Sequence, residues 1–358
     1  MKMSKNLFYV LAFVIIETIF LKIFMYDILP AKYFFDALHI LGVMNGTAYT
    51  DTAYTYTANI FNGINILGFD NIQQWGFFVA IVFMPILISI IAKKKDYNSW
   101  QYLFIIASFT LLDVYVLGLS KDIIQFIYFF AIYLILSSKK IGNIKKIIFS
   151  CAVLLYEAVN FRVYYAIMAM LIISIYAIYE LFIKNKSLNK KQFIKIICLS
   201  LCVFFGEVFI VQIISTENYN AILHARSGVN MWRTNDTAAN TIINDVLGLN
   251  TNYFKFMGNY LINTIRLMFP VELFVKGPIQ IAFCMYQIFI TINIIGSCKK
   301  MNESNCLWII TVISFFMVSI IFEPDFGSFV RHESALILII LEITRINFEK
   351  DKERLNNV

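Results

Sequence analysis

The 358 residues are 59% apolar and 16% aromatic, with 35 phenylalanines, and the mean hydropathy is +0.71. No water-soluble core of this size requires so much apolar side chain, so composition excludes a soluble globular enzyme. The net charge of +7 would suggest a nucleic-acid partner in a soluble chain. Here the basic residues fall between apolar blocks and read as topology signals, and no nucleic acid is expected.

The apolar residues come in blocks of about 18 to 22, the length that crosses a bilayer's hydrocarbon. In chain order they predict ten spans, near residues 7–28, 73–92, 99–118, 122–137, 147–161, 163–183, 196–214, 278–296, 306–322 and 333–347. The opening Met-Lys-Met-Ser-Lys runs into the first block without a small-residue cleavage site, so it reads as a retained first helix. Residues 259–275 read as a re-entrant or surface helix broken at Pro270. The expected fold class is all-α: one polytopic membrane domain over 1–358 with about ten transmembrane helices.

Alternate connections carry the positive charge. Lys2 and Lys5, Lys93 to Lys95, Lys139, Lys140, Lys145, Lys146, the lysines between Lys184 and Lys195, Lys299, Lys300, and the C-terminal Arg345, Lys350, Lys352 and Arg354 make 20 of the 30 basic residues. The positive-inside bias puts these connections and both termini in the cytoplasm. Two long segments, about 29–72 and 215–277, then lie outside. The first holds a Tyr and Thr cluster from Thr47 to Thr57; the second holds His224, Arg226, Trp232, Arg233, Asn235 and Asp236. Such residues suit hydroxyl-rich ligands, because aromatic faces stack on sugar rings and amides or carboxylates bond hydroxyls. An interfacial aromatic belt explains the Tyr cluster equally well. Six cysteines lack CxxC spacing and the three histidines are far apart, so neither a disulfide framework nor a metal site is expected, and no cofactor is implied.

Ionisable residues near hydrocarbon cost roughly 2.5 to 3.5 kcal/mol on insertion scales, so those retained are usually paired or functional. They gather toward the outer ends of the predicted spans: Lys121 and Asp122, Glu157 and Arg162, Arg226, Arg233, Arg266 and Lys276, then Glu323, Asp325, Arg331 and His332. Arginine predominates over lysine, and a planar guanidinium grips phosphate oxygens through two parallel bonds. Structural ion pairs at helix ends account for Lys121 with Asp122 and for Glu157 with Arg162 just as well, and Arg266 could snorkel to a headgroup. The run Glu323-Pro-Asp-Phe-Gly-Ser-Phe-Val-Arg-His-Glu333 is harder to explain blandly: within ten residues Glu323, Asp325, Arg331 and His332 stand between two very apolar blocks.

In its many-span layout, its large outer segment before the last spans, and the turns Leu119-Ser-Lys-Asp122, Asn160-Phe-Arg-Val-Tyr-Tyr165 and Phe322-Glu-Pro-Asp-Phe-Gly-Ser-Phe-Val-Arg-His332, the chain resembles the bacterial polysaccharide repeat-unit polymerases. That family builds O-antigen, capsule or exopolysaccharide. The resemblance implies a multi-pass enzyme of the bacterial cytoplasmic (inner) membrane, similar in architecture to the GT-C class of lipid-sugar-dependent glycosyltransferases. It implies transfer of a growing oligosaccharide from undecaprenyl pyrophosphate to a lipid-linked repeat unit, among membrane lipids and beside a flippase and a chain-length regulator. Arg162, Arg226, Arg233, Arg266 and Arg331 would hold phosphate, and Glu323, Asp325 or His332 would act on the acceptor hydroxyl.

Two rivals stay open. A glycosyltransferase using a lipid monophosphate sugar would make Asp36 or Asp51 of the first outer segment catalytic. A lipid-linked oligosaccharide transporter or flippase would need polar residues through the depth of the bundle and paired halves, and no internal repeat is evident.

Overall fold

The computed structural model describes residues 4–49, 51–94, 97–182, 190–233 and 241–355. Of the described residues 81% are helical, and among them the one extended pairing is an isolated bridge between Ile242 and Asp325. In chain order the α-helices are α1 (Lys5–Ile28), α2 (Phe35–Met44), α3 (Thr52–Ile64), α4 (Ile72–Ala92), α5 (Ser99–Leu111), α6 (Lys121–Ser137), α7 (Asn143–Asn160) and α8 (Tyr165–Phe182). They continue with α9 (Lys190–Ile214), α10 (Thr216–Arg233), α11 (Tyr253–Met268), α12 (Pro278–Cys298), α13 (Cys306–Phe322), α14 (Phe326–Ser334) and α15 (Ile337–Leu355).

Small polar side chains open several of these helices by satisfying the first free amide groups. The Ser4 hydroxyl accepts from Leu7 N, Asp51 from Tyr54 N and Asn71 from Gln74 N. Asn98 and Gln101 cap α5 reciprocally. After its last turn α5 widens into a π-helical turn, Leu112–Val116.

Among the described residues six helices are long and apolar enough to cross a membrane: α1, α4, α5 with its π turn, α8, α9 from Lys195, and α12. The chain is thus a multi-pass helical membrane protein. The apolar side chains that α1 leaves uncovered, among them Phe8, Phe13, Ile16 and Phe20, are what lipid contact requires. Of the other expected spans, 306–322 is the shorter apolar helix α13, 122–137 is the 17-residue α6, and 147–161 is α7. The expected span at 333–347 is differently built: its helix begins at Phe326, stops at Ser334 and restarts at Ile337. The two long segments expected outside are likewise more than loops, since α2 and α3 lie in 29–72 and α10 and α11 in 215–277. Helix α11 ends where Pro270 removes an amide donor.

The helices gather into two compact units. The first comprises Met1–Ala131, Val159–Arg162 and Arg331–Ile337; the second comprises Ile132–Ala158, Val163–Val330 and Leu338–Val358. In the first, α1 packs on α4 and α5, and Lys22 of α1 is buried where the π turn leaves carbonyls unpaired. Its ammonium donates to Asp113 O and Leu117 O at 2.5 Å each. In the second, α13 is buried along nearly its whole length, with α8, α10, α11 and α12 against it.

Candidate active site

The charged cluster of the first unit is assembled from four chain segments. Asp36 stands in the first turn of α2, Lys121 and Asp122 open α6, Arg162 follows α7, and Arg331 and His332 lie in the last turn of α14. Arg331 touches both carboxylates, with Nη1 3.3 Å from Asp36 Oδ2 and Nε 3.1 Å from Asp122 Oδ2. Lys121 Nζ lies 3.6 Å from Asp36 Oδ1, and the Tyr54 hydroxyl donates to that same oxygen at 2.5 Å. The Lys121 ammonium also sits over the Tyr54 ring, 3.7 Å from its centroid, a cation–π contact that holds the lysine on the Asp36 side.

The second half of the cluster surrounds His332. Its Nε2 is 3.4 Å from Arg162 Nη2, 3.4 Å from Arg331 Nη2 and 3.4 Å from Asp122 Oδ1. Two guanidinium groups and one carboxylate oxygen thus surround this nitrogen at equal distance. Arg162 Nη1 donates to Gln125 Oε1 at 2.8 Å, Gln125 Nε2 donates to His332 O at 3.3 Å, and Arg162 Nη2 is 3.9 Å from Asp122 Oδ1. Gln125 lies one helical turn after Asp122 and fixes the arginine from the same face of α6.

Charge decides what the cluster can do. Burial would raise the Asp36 carboxyl, but Arg331, Lys121, the Tyr54 hydroxyl and Arg162 together hold it well below the usual carboxylate range. Burial, with Arg162, Arg331 and Lys121, holds the His332 imidazole well below its ordinary 6.5 despite the opposing pull of Asp122. The cluster thus sets Lys121, Arg162 and Arg331 against Asp36 and Asp122, with a neutral imidazole between the two arginines. Partly buried guanidinium groups in that state attract an anion with several acceptor oxygens.

The other candidates have partners in the second unit. Arg226 is buried and donates from Nε to Glu323 O at 2.9 Å, from Nη1 to Asp245 Oδ1 at 3.0 Å, and from Nη2 to Ile320 O. Asn263 Nδ2 and Asn250 Nδ2 also bond Asp245. Arg266 forms a fork with Glu272, 2.8 Å from Nε and 3.0 Å from Nη2, and Nη1 reaches Asn244 O. That fork ties α11 to the turn after Pro270. Asp325 caps α14: its Oδ1 accepts from Ser328 N at 2.7 Å and from Thr241 at 3.4 Å, and its Oδ2 from the Ser328 hydroxyl at 2.9 Å. Glu323 is buried and its carbonyl receives Arg226. The side chain of Arg233 lies outside the described residues.

Of the sequence candidates, then, Arg162, Arg331 and His332 meet at one site. Arg226, Arg266, Glu323 and Asp325 are engaged in bracing contacts of the second unit. Asp36, Tyr54 and Gln125 complete the cluster. Asp36 had been weighed in the sequence only for the monophosphate rival; Tyr54 belongs to the Tyr and Thr cluster, and Gln125 carries no signal of its own. No family model matches the chain, and neither a curated protein nor a solved structure matches it.

Proposed function

We infer that the chain is a membrane glycosyltransferase of the polysaccharide-polymerase kind, with Arg162 and Arg331 holding the phosphate of a lipid-linked sugar. The observation that carries this reading is the convergence of Lys121, Arg162 and Arg331 on Asp36 and Asp122, in a chain built of membrane helices. An acceptor sugar hydroxyl attacks the anomeric carbon of the donor glycan. The bond from that carbon to the pyrophosphate oxygen breaks, and its electron pair leaves with undecaprenyl pyrophosphate. Charge grows on the leaving phosphate, where pre-oriented guanidinium groups stabilise it most.

The hydroxyl proton passes to a carboxylate, and Asp122 is better suited than Asp36. Asp36 is stabilised in its charged form by Arg331, Lys121, Tyr54 and Arg162 and is correspondingly a weak base. Asp122 Oδ1 accepts no hydrogen bond among the described residues. His332, neutral and addressed by both guanidinium groups, holds the two arginines in register. The about ten spans, the cytoplasmic termini and the inner-membrane location belong to the same reading, supported by the distribution of lysine.

A second reading keeps the site and changes the donor to a lipid monophosphate sugar. It is favoured by Asp36, a carboxylate of the first outer segment standing in the cluster. Purified protein offered each donor separates the two. The test of the site itself is complementation of a strain lacking the chain. Asp122→Asn should give single-repeat glycan in place of long chains at unchanged membrane abundance; long chains from this variant would remove the site from the chemistry.

A further inference from the structure

Lys22 is a buried cation of the first unit that the proposed chemistry does not use. It is 1% exposed on the spanning helix α1, and a lysine at membrane depth is costly unless its place serves something. Its partners lie in and just after the π turn Leu112–Val116 that follows α5, a kind of turn that recurs at functional sites. The Leu117 and Gly118 amides, which a continuing helix would direct at Asp113 O, bond Leu112 O at 2.7 Å and Val116 O at 2.8 Å instead. The Lys22 ammonium donates to Asp113 O in their place, and to Leu117 O as well. It also stands 3.7 Å from Asp113 Oδ1. Thr18, one helical turn before Lys22, donates to Asp113 Oδ2 at 2.7 Å. One face of α1 therefore grips the turn near its start and just past its end.

The turn leads straight into the charged cluster. Gly118, Leu119 and Ser120 alone separate Leu117 from Lys121 and Asp122. This link has no slack, since Leu117, Leu119 and Ser120 are all buried. The Ser120 hydroxyl donates to Val116 O at 3.1 Å and accepts from Ile123 N at 3.2 Å, which joins the last residue of the π turn to the first turn of α6. Direct contacts thus run from Lys22 through Leu117 and Ser120 to the helical turn that carries Asp122. The Asp122 carboxylate in turn meets Arg331, His332 and Arg162.

We propose that Lys22 is a positioning residue for the transfer: by holding the π turn, it sets where Asp122 stands against the arginines and the acceptor hydroxyl. The proposal rests on the glycan-transfer reading, in which Asp122 takes the hydroxyl proton. It adds the residue outside the site that fixes that carboxylate.

The test measures joining of undecaprenyl-pyrophosphate-linked repeat units by purified full-chain protein in lipid vesicles, over a range of unit concentrations. Lys22→Met is combined with Asp113→Asn, so that no charge is left buried without its counter-charge. This variant should lose about 100-fold in kcat, the effect of misplacing a catalytic group by about 1 Å. Its KM should stay within about threefold of wild type, because Arg331 keeps its contact with Asp36. In an Asp122→Asn background the same two substitutions should lower the residual kcat by no more than about twofold, since changes that act through one group do not add. Ser120→Ala should lose about tenfold in kcat, one hydrogen bond's worth, and again only while Asp122 is present. Wild-type kcat in the Lys22 and Asp113 variant, or a loss of the same size with and without Asp122, makes the pair merely structural and overturns the proposal. Should that variant fail to accumulate in membranes, Ser120→Ala decides by the same two outcomes. Failure of the glycan-transfer reading is seen separately, as folded wild-type protein that joins no units, and the proposal falls with it.

Discussion

Arg331 and Asp122 meet with Nε 3.1 Å from Oδ2, so one guanidinium fastens the start of α6 to the last turn of α14 while its Nη1 reaches Asp36. Adjacent residues on a helix point about 100 degrees apart. Both nevertheless converge on Asp122, one on each carboxylate oxygen.

Arg331→Lys keeps the charge and loses the fork that spans the Asp36 and Asp122 carboxylates. Polymer formation should fall about 10- to 100-fold, the equivalent of one or two charge-assisted hydrogen bonds, with membrane abundance near wild type. Glycan length on gels and immunoblots of the membrane fraction measure the two quantities. Normal polymer from Arg331→Lys together with low abundance of Arg331→Ala would make the residue a structural ion-pair partner.

Stability should depend on pH through His332. Its folded pKa lies well below 6.5, so below pH 6.5 the unfolded chain binds the proton that the folded chain refuses. The contribution is complete above 6.5 and is lost as pH falls from 6.5 toward the folded value. Asp36, depressed from its ordinary 3.8, adds its own loss only below about that value. Thermal unfolding of wild type and His332→Gln between pH 7.5 and 5 should show a decline in the wild type that the variant lacks; parallel curves would contradict the neutral imidazole.

Arg226 braces rather than binds. Its replacement by Met leaves the Asp245 carboxylate, 9% exposed, without its cation, a loss of about 3 to 5 kcal/mol. The folded fraction recovered from membranes should drop sharply and return in part with Asp245→Asn added. Full abundance of Arg226→Met with lost polymer would instead return Arg226 to the phosphate site.

The helical plan was legible in the sequence because block length and hydropathy report directly on bilayer thickness, and six of the blocks became helices of spanning length. Helices α3 and α10 were not, since Thr, Asn and Tyr give them the composition of a loop, and α2, though apolar, is only ten residues long, too short to register as a span. The short turns at Asp122, Arg162 and Arg331 drew notice as polar interruptions between apolar blocks, and the fold brings these three together. Their partners Asp36 and Tyr54 come from a distant stretch with no comparable signal; nothing local announces a contact made only by tertiary packing. Arg266 meets the same limit. Glu272 follows it by six residues across Pro270, and that spacing was the available hint of the fork they form.

Orientation is testable on exposed positions. A cysteine replacing His224 should react with an impermeant thiol reagent in intact cells, and one replacing Glu303, beside Lys299 and Lys300, should react only after lysis. The reverse pattern would move the site to the cytoplasm.

The most direct measurement reconstitutes purified protein in lipid vesicles with undecaprenyl-pyrophosphate-linked repeat units and follows both glycan length and release of undecaprenyl pyrophosphate. Wild type should yield a ladder of polymers with one equivalent of undecaprenyl pyrophosphate released per linkage, and Asp122→Asn and Arg331→Lys should leave the units largely unjoined. Folded wild-type protein that leaves the units unjoined but carries them across the bilayer would contradict the account and make the chain a transporter.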